Sequence, residues 1–550
     1  MRRLPFFLGL LATLLAGCAA VPERTPVRVT LLAVNDLHGH LRPPPGGIRL
    51  RDARDPAQTV DVAAGGVEHL ASALREARAR NPNHVFVAAG DLVGASPLLS
   101  ALFHDEPTIE VLGELGLAAS AVGNHEFDRG AAELLRLQNG GCHPATGCQG
   151  PAPFAGARFQ YLAASTVDTT TGRTILPAYT VRRFEGIPVA FIGLTLKDTP
   201  RIVRPSGVAG LTFRDEAATV NALVPELRAQ GIEAIVVLIH EGGYPAGGPD
   251  ECLALSGAIV PIVQALDRAV DVVISGHTHR AYNCRIDGRL VTSADKFGTV
   301  LSEIDLVLDR RSGDVREARA RNVVVSHDRF AKDASLGEWL AAWERLAAPL
   351  AQRVVGRLAA PLSREPNEAG ESTLGQLVAD AQLAASTEAG AQIALTNPGG
   401  LRTGLAGAAD GSVRYEDLFA AQPFSNQLVT LTLTGAQLQQ ALEQQWLGQA
   451  RPRVLQVSRG FAYAWDASRP AGGRTVPGSL RLHGVPIAPE QRLRVTVNDY
   501  LASGGDNFSA FRENGTDAQT GPMDVDALEQ FFRHNDKVTP GALDRIRRVN

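Results

Sequence analysis

Hydrophobic and polar positions come in blocks along this chain. Short continuous apolar runs end abruptly in polar turns, and stretches with helical spacing separate them. Residues 29–34 lead into Asn35-Asp36-Leu37-His38-Gly39, and residues 84–89 lead into Gly90-Asp91. Residues 118–122 lead into Gly123-Asn124-His125-Glu126-Phe127-Asp128. Residues 232–239 end at His240-Glu241-Gly242-Gly243, and residues 270–274 at Ser275-Gly276-His277-Thr278-His279. A short, wholly apolar run predicts a strand buried on both faces. In open α/β sheets, binding groups gather beyond the carboxyl ends of such strands. Five strands would therefore present Asp36, His38, Asp91, Asn124, His125, His240, His277 and His279 to one another.

The rest of the pattern supports an α/β architecture with helices on both faces of the sheet. Helices are predicted near residues 66–80, 108–116, 129–137 and 215–229, and further strands at 189–194, 303–308 and 321–326. Residues 43–62, rich in Pro, Gly and Arg, read as a surface loop. Residues 334–354 carry Leu336, Leu340, Trp343, Leu346 and Leu350 at helical spacing. This amphipathic helix is the candidate linker between two differently patterned halves. A chain of 550 residues is too long for one core, which also predicts at least two domains.

The chemistry of the first half follows from its side chains. Imidazole and carboxylate together suit Zn, Mn, Fe or Ni, whereas Mg and Ca prefer oxygen alone. Seven candidate ligands exceed the needs of one ion and fit two ions that share a bridging carboxylate. Such a pair clamps the attacking and leaving oxygens of a phosphoryl displacement.

In the second half, an apolar run over residues 391–396 leads into Asn397-Pro398-Gly399-Gly400-Leu401-Arg402. Gly399 and Gly400 would let backbone approach a ligand, and Arg402 offers a planar fork for phosphate. Gln422-Pro423-Phe424-Ser425-Asn426 follows, and near the end Asn498-Asp499-Tyr500 precedes Gly504-Gly505-Asp506-Asn507-Phe508.

The D-x-H, GD, GNHE, H and GHTH series, in this order, resembles the calcineurin-like metallophosphoesterases. With the second-half motifs it resembles the bacterial and animal 5′-nucleotidase family, over roughly residues 27–550. The resemblance implies a four-layer sandwich of sheets flanked by helices, followed by a smaller α/β substrate-binding domain. It implies boundaries of 27–330 for the first domain, 331–355 for the linker and 356–550 for the second. Residue by residue, Asp36, His38 and His279 would bind one divalent ion, and Asn124, His240 and His277 the other, with Asp91 bridging. Zn, Mn or Co would be the metals. His125 would face the phosphoryl group, oriented by Asp128. Arg402 would hold phosphate, Asn397, Gly400 and Asp506 would contact the nucleoside, and Phe424 and Tyr500 would sandwich the base.

The implied reaction is hydrolysis of nucleoside 5′-monophosphates by metal-activated water. Alternatives with the same metals are cleavage of 2′,3′-cyclic nucleotides or UDP-sugars. A thiosulfohydrolase shares the two-domain plan, but Phe424 and Tyr500 speak against it. A non-catalytic nucleotide-binding surface lipoprotein is the reading from another class. Two features depart from the family pattern. Tyr500 stands where many relatives have Phe. A second phosphate-binding Arg is missing from Gly370-Glu371-Ser372-Thr373-Leu374-Gly375-Gln376, with Arg364 nearby but out of register. Because metals and substrate contacts fall in different halves, hinge motion is expected near residues 334–356.

The amino terminus reads as a targeting segment. Arg2 and Arg3 precede a short apolar core, and Leu15-Ala16-Gly17-Cys18 looks like a lipobox, implying cleavage after residue 17 and a lipid on Cys18. Residues 18–26 would be the tether, and the protein would sit in the bacterial envelope, periplasmic or at the surface, touching membrane only through its lipid. Removing Arg2 and Arg3 from 54 basic side chains, against 58 acidic ones, leaves a formal charge of −6. A mildly acidic body argues against polymeric nucleic acid as partner. Four further cysteines suit an oxidising compartment and two disulfides, Cys142 with Cys148 and Cys252 with Cys284.

Overall fold

The computed structural model describes residues 25–52, 54–55 and 57–550. Cys18 and the targeting segment lie outside them. The first half is built on two six-stranded sheets. In the first sheet, Val27–Val34 sits between antiparallel Val300–Leu308 and parallel His84–Ala88, which pairs with Leu117–Ala121. In the second, Ala234–His240 lies between parallel Ile187–Thr195 and parallel Val272–Ser275.

Alternation of side chains along these strands makes the layers. Leu31 and Ala33 join Val236, Leu238, Val272 and Ile274 in one core between the sheets. Their neighbours Leu32 and Val34 face outward and pack with Leu70, Leu74, Ile109 and Leu134 from three helices. On the second sheet Ile235, Val237 and Ile239 face outward toward Val220, Val224, Ile259 and Val263. The result is helix, sheet, sheet, helix.

This corrects the reading of one sheet presenting five strand ends. Three of those strands belong to one sheet and two to the other. Both faces of each run are apolar because one meets the other sheet and one meets helices, so the sequence pattern cannot tell one sheet from two. A second correction concerns residues 43–62. They contain an antiparallel hairpin, Ile48–Arg51 with Thr59–Val62, in which Ile48 joins a small core with Ala64, Ala294 and Val300. Its other positions are largely exposed, so the apolar signal is weak. The strand expected at 321–326 begins earlier, as Val315–Val324 at the sheet edge, where alternate exposed residues hide its start.

The second half holds a five-stranded sheet, ordered Gln456–Val457, Ile393–Thr396, Arg492–Asn498, Gln427–Thr434 and Thr516–Met523. The amphipathic helix spans Ala334–Ala351, capped by Asp333. Leu340 inserts into the core of the first half, and Trp343, Ala347 and Ala351 into a core shared with the second. Both expected disulfides form, Cys142–Cys148 and Cys252–Cys284. Among the described residues no helix is long and apolar enough to cross a membrane.

Candidate active site

The turns that follow the five strands converge at the carboxyl ends of strands from the two packed sheets. Asp36, His38 and His279 place donor atoms within 4.8 Å of one another, as do Asp91, His240 and His277. Asp91 also groups with His38 and His125, which makes it the carboxylate common to both sides. His38 Nε2 lies 3.0 Å from His279 Nε2, and Asp36 Oδ1 lies 3.2 Å from His279 Nε2. Asp91 Oδ2 lies 2.9 Å from His240 Nε2 and 3.7 Å from His38 Nε2.

Backbone conformation aims these groups. Five of the seven candidate ligands, Asp36, His38, Asp91, His277 and His279, are in the left-handed region, with φ between 46° and 70°. Such residues are costly and persist only when the surroundings over-determine them. Here the surroundings do so. Glu126 accepts the amides of Asp91 (3.0 Å), Leu92 (2.8 Å) and Gly123 (2.6 Å), tying two turns together. Asn35 donates to the Asp36 carboxylate at 2.7 Å and to the Asp295 carbonyl at 2.7 Å. A Cβ on Gly123 would stand 2.1 Å from Asp91 Oδ1, so the close approach of those turns requires glycine.

Tautomers are set from behind. His38 Nδ1 donates to the Gly94 carbonyl (2.9 Å), and His240 Nδ1 to that of Ala89 (2.8 Å), leaving both Nε2 atoms directed at the cluster. Carbonyl-oriented imidazoles of this kind are the usual support of metal ligands. Burial pushes the pKa of His277 down to about 3 and of His279 to about 4, which keeps both neutral and lone-paired. Burial also opposes charge on Asp36 and Asp91, but the facing imidazoles outweigh it and hold both carboxyls below their ordinary value. Burial opposes charge on His240 as well, but Asp91 overcomes it and raises its pKa to about 10. Asn124 Oδ1 is buried with no hydrogen-bond partner. A buried amide oxygen without a donor, beside ionised carboxylates and the neutral imidazole of His277, fits a cation.

His125 stands apart from the two clusters. Its Nδ1 meets Asp128 Oδ2 at 2.7 Å, and its ring lies 4.9 Å from that of His38. Burial opposes charge on His125, but Asp128 and Asp91 overcome it and raise its pKa above the ordinary imidazole value.

The second half closes this region from the other side. A cavity of about 1580 Å³ is lined by Asp91, Asn124, His125, His277 and His279 together with Asn397, Gly400, Arg402, Phe424, Tyr500 and Asp506. The Phe424 ring lies 5.9 Å from that of His125, and the Arg402 guanidinium 5.7 Å from Phe424. Arg402 Nη2 is buried without a partner, and burial, with Arg364 nearby, lowers its pKa to about 10. Asp506 accepts from Asn397 Nδ2 (2.9 Å), Arg453 Nη1 (2.6 Å) and Tyr500 Oη (2.9 Å).

Several residues at the site lie outside the sequence motifs. Arg364 donates to the Arg402 carbonyl at 2.5 Å and lines the cavity, in spite of standing out of the expected register. Arg453 and Lys296 line it as well. Arg204, from the first half, donates to Asn426 Oδ1 (2.7 Å) and lies 3.5 Å from Asp499, across the junction. Nothing in the local sequence marks an isolated arginine as cavity-facing.

Residues 29–281 match the calcineurin-like phosphoesterase model, and residues 354–513 match the 5′-nucleotidase C-terminal domain model. The chain belongs to the 5′-nucleotidase family of metallophosphoesterases. A solved family structure, a 5′-nucleotidase precursor from Thermus thermophilus, superposes with a TM-score of 0.76 at 27% identity, covering 95% of this chain and 99% of that one. Endonuclease YhcR of Bacillus subtilis is 32% identical over 94% of this chain. Cell wall protein Lmo0130 of Listeria monocytogenes is 29% identical over 90% of it. The chain spans only 40% and 66% of those two relatives' own lengths.

Proposed function

We propose that this protein is an exported two-metal hydrolase that releases phosphate from nucleoside 5′-monophosphates. The observation that carries this reading is the shared cavity, where the paired clusters of one half face the unpartnered Arg402 and the Phe424 ring of the other. Asp36, His38 and His279 would hold one divalent ion, Asn124, His240 and His277 the second, with Asp91 between them; Zn, Mn or Co suits this donor set. Bound there, the ions would supply positive charge for phosphate oxygens and an activated water. The chain's own residues do the rest. Charged His125, oriented by Asp128, stabilises negative charge on the departing ribose oxygen. Arg402, with Arg364 beside it, holds the phosphate, and Arg364 supplies the second guanidinium that the motif region lacks. Phe424 and Tyr500 stack the base, while Asn397 and Asp506 reach the nucleoside.

A second reading keeps the same ions and cleaves a cyclic or sugar nucleotide. Its sugar-nucleotide form is favoured by the further cations on this cavity, Lys296 and Arg280, since a pyrophosphate spreads its charge over two phosphates. Export and a lipid on Cys18 are proposed from the amino-terminal pattern, and one relative is named a cell wall protein. A panel of AMP, UMP, 2′,3′-cyclic AMP, UDP-glucose and p-nitrophenyl phosphate, with metals restored, tests the assignment. Preferred cleavage of AMP or UMP supports it. Preference for the cyclic or sugar nucleotide moves the substrate, and cleavage of none rejects the enzyme.

A further inference from the structure

Two aromatic walls of the cavity, Phe424 and Tyr500, are tied to one side chain of the other half. Arg204 stands between the helix Thr199–Ile202 and the tight turn Pro205–Val208. Its Nη2 is shared among Asn426 Oδ1 at 2.7 Å and the backbone carbonyls of Phe424 at 3.3 Å and Ser425 at 3.4 Å. Its Nη1 lies 3.5 Å from Oδ2 of Asp499, the residue before Tyr500. One planar fork therefore reaches the segment that carries Phe424 and the segment that carries Tyr500, and both rings line the cavity.

The first half holds Arg204 in place. Val203 and Val208, on either side of it, are buried in the core with Phe127. A Cβ on Gly207 would stand 2.3 Å from the Phe127 carbonyl oxygen, so this segment is pressed onto the turn that carries Asn124, His125 and Asp128. Pro205 restricts Arg204 to extended backbone, with φ −55° and ψ 137°. The Phe424 turn, in contrast, needs support from outside. Ser425 is left-handed, with φ 52°, a conformation that persists only where the surroundings impose it. Asn426 carries the hold inward: its Nδ2 donates to Asp524 Oδ2 at 3.3 Å, and its carbonyl accepts the Asp524 amide at 2.8 Å.

We propose that Arg204 is a positioning residue for base recognition, which sets the separation of Phe424 and Tyr500 by bracing both segments against the turn of His125. The inference rests on the nucleotidase reading and deepens it, since it gives a residue of the metal half a part in selecting substrates that carry a planar base. A base is gripped between two faces only where their separation matches its thickness. A shift of either segment therefore weakens stacking and leaves the metal clusters as they are. Among the described residues, every polar contact of the Arg204 guanidinium is with these two segments, so it acts through them.

Steady-state kinetics on the full chain with metals restored, together with calorimetry of adenosine binding, test this. Arg204→Ala should raise KM for AMP by about tenfold and leave kcat within about twofold, as expected for the loss of charge-assisted hydrogen bonds that serve binding. Adenosine, which has no phosphate, should bind about tenfold more weakly. Arg204→Lys keeps the charge toward Asp499 but loses the fork, and should recover only part of the loss. A double-mutant cycle separates positioning from a structural role. With Phe424→Ala already in place, Arg204→Ala should cost less than about twofold further. The same tenfold loss in both backgrounds overturns the proposal, as does an equal fall in kcat/KM for AMP and for p-nitrophenyl phosphate. If the wild type binds adenosine and cleaves AMP and Arg204→Ala matches it, this inference fails alone. If the wild type does neither, the nucleotidase reading fails and takes the inference with it.

Discussion

The metal-cluster side and the nucleoside side of the cavity are both made of polar groups at strand ends, yet they are held by different means. On the first side the backbone does the aiming, through five left-handed residues and carbonyls that fix the imidazole tautomers. On the second, left-handed backbone occurs too, at Ser425 and Asp506, but the tie is made between side chains, with Asn397, Arg453 and Tyr500 all converging on Asp506. Carboxylates differ accordingly. Asp36 and Asp91 are held below their ordinary pKa by facing imidazoles in spite of burial. Burial raises Asp524, beneath the Phe424 turn, from 3.8 to about 7. On the proposed reading, polyvalent charge would be bound where the main chain fixes the geometry, and a neutral nucleoside would be met by a network that exchange of a side chain can retune.

If that contrast holds, the largest effect comes from the group common to both clusters. Asp91→Ala should lower phosphate release by at least about 10³-fold, comparable to losing a principal electrostatic group, and should deplete bound metal. Normal metal content with full loss of activity would instead make Asp91 purely catalytic. Next, Arg364→Ala should raise KM for AMP by about 10-fold while kcat for p-nitrophenyl phosphate stays within about twofold, as expected for one charge-assisted hydrogen bond. An unchanged KM would remove Arg364 from the phosphate contacts.

Smaller effects probe the retunable side. Tyr500→Phe keeps the stacking face and loses two bonds with Asp506, one donated to its carboxylate and one accepted from its amide, so KM should rise by about fivefold with kcat unchanged. The smallest is a stability effect. Asp524 has a folded pKa of about 7, above its ordinary 3.8, so the native state binds its proton more tightly. Its contribution is therefore full below about pH 4 and is lost as pH rises through about 7. Asp524→Asn, which mimics the protonated form, should raise Tm above pH 7 by a few degrees and leave it unchanged near pH 4. The opposite pH dependence would mean that the carboxylate is paired.

How much of this was legible in the sequence follows the same divide. The eight polar residues on the first side could be read because apolar runs end just before them, and the structure brings them together. Their division between two sheets could not, since a strand against a second sheet is as apolar as one against a helix. Glu126 was visible only as part of a polar turn, and its role emerged from two amides of a distant turn and one of its own. On the second side Arg402 and Phe424 carried a motif. Arg364 and Arg453 did not, because long side chains reach the cavity from positions whose register the motif does not fix. The hairpin at Ile48–Arg51 was lost in a segment of Pro, Gly and charge. A disulfide fastening the helix Ala334–Ala351 to the second half would test the proposed hinge. Turnover should stop while metal remains, and full activity in the locked protein would remove hinge motion from the account.

The central claim is that one half supplies the chemistry and the other selects the substrate. Phosphate release from AMP and from p-nitrophenyl phosphate, measured side by side in the wild type and in Phe424→Ala with metals restored, tests it most directly. The account predicts a fall of about 10- to 100-fold in kcat/KM for AMP, with p-nitrophenyl phosphate, which has no base to stack, changed by less than about threefold. An equal fall for both substrates would place Phe424 in the reaction itself and contradict the division between the halves.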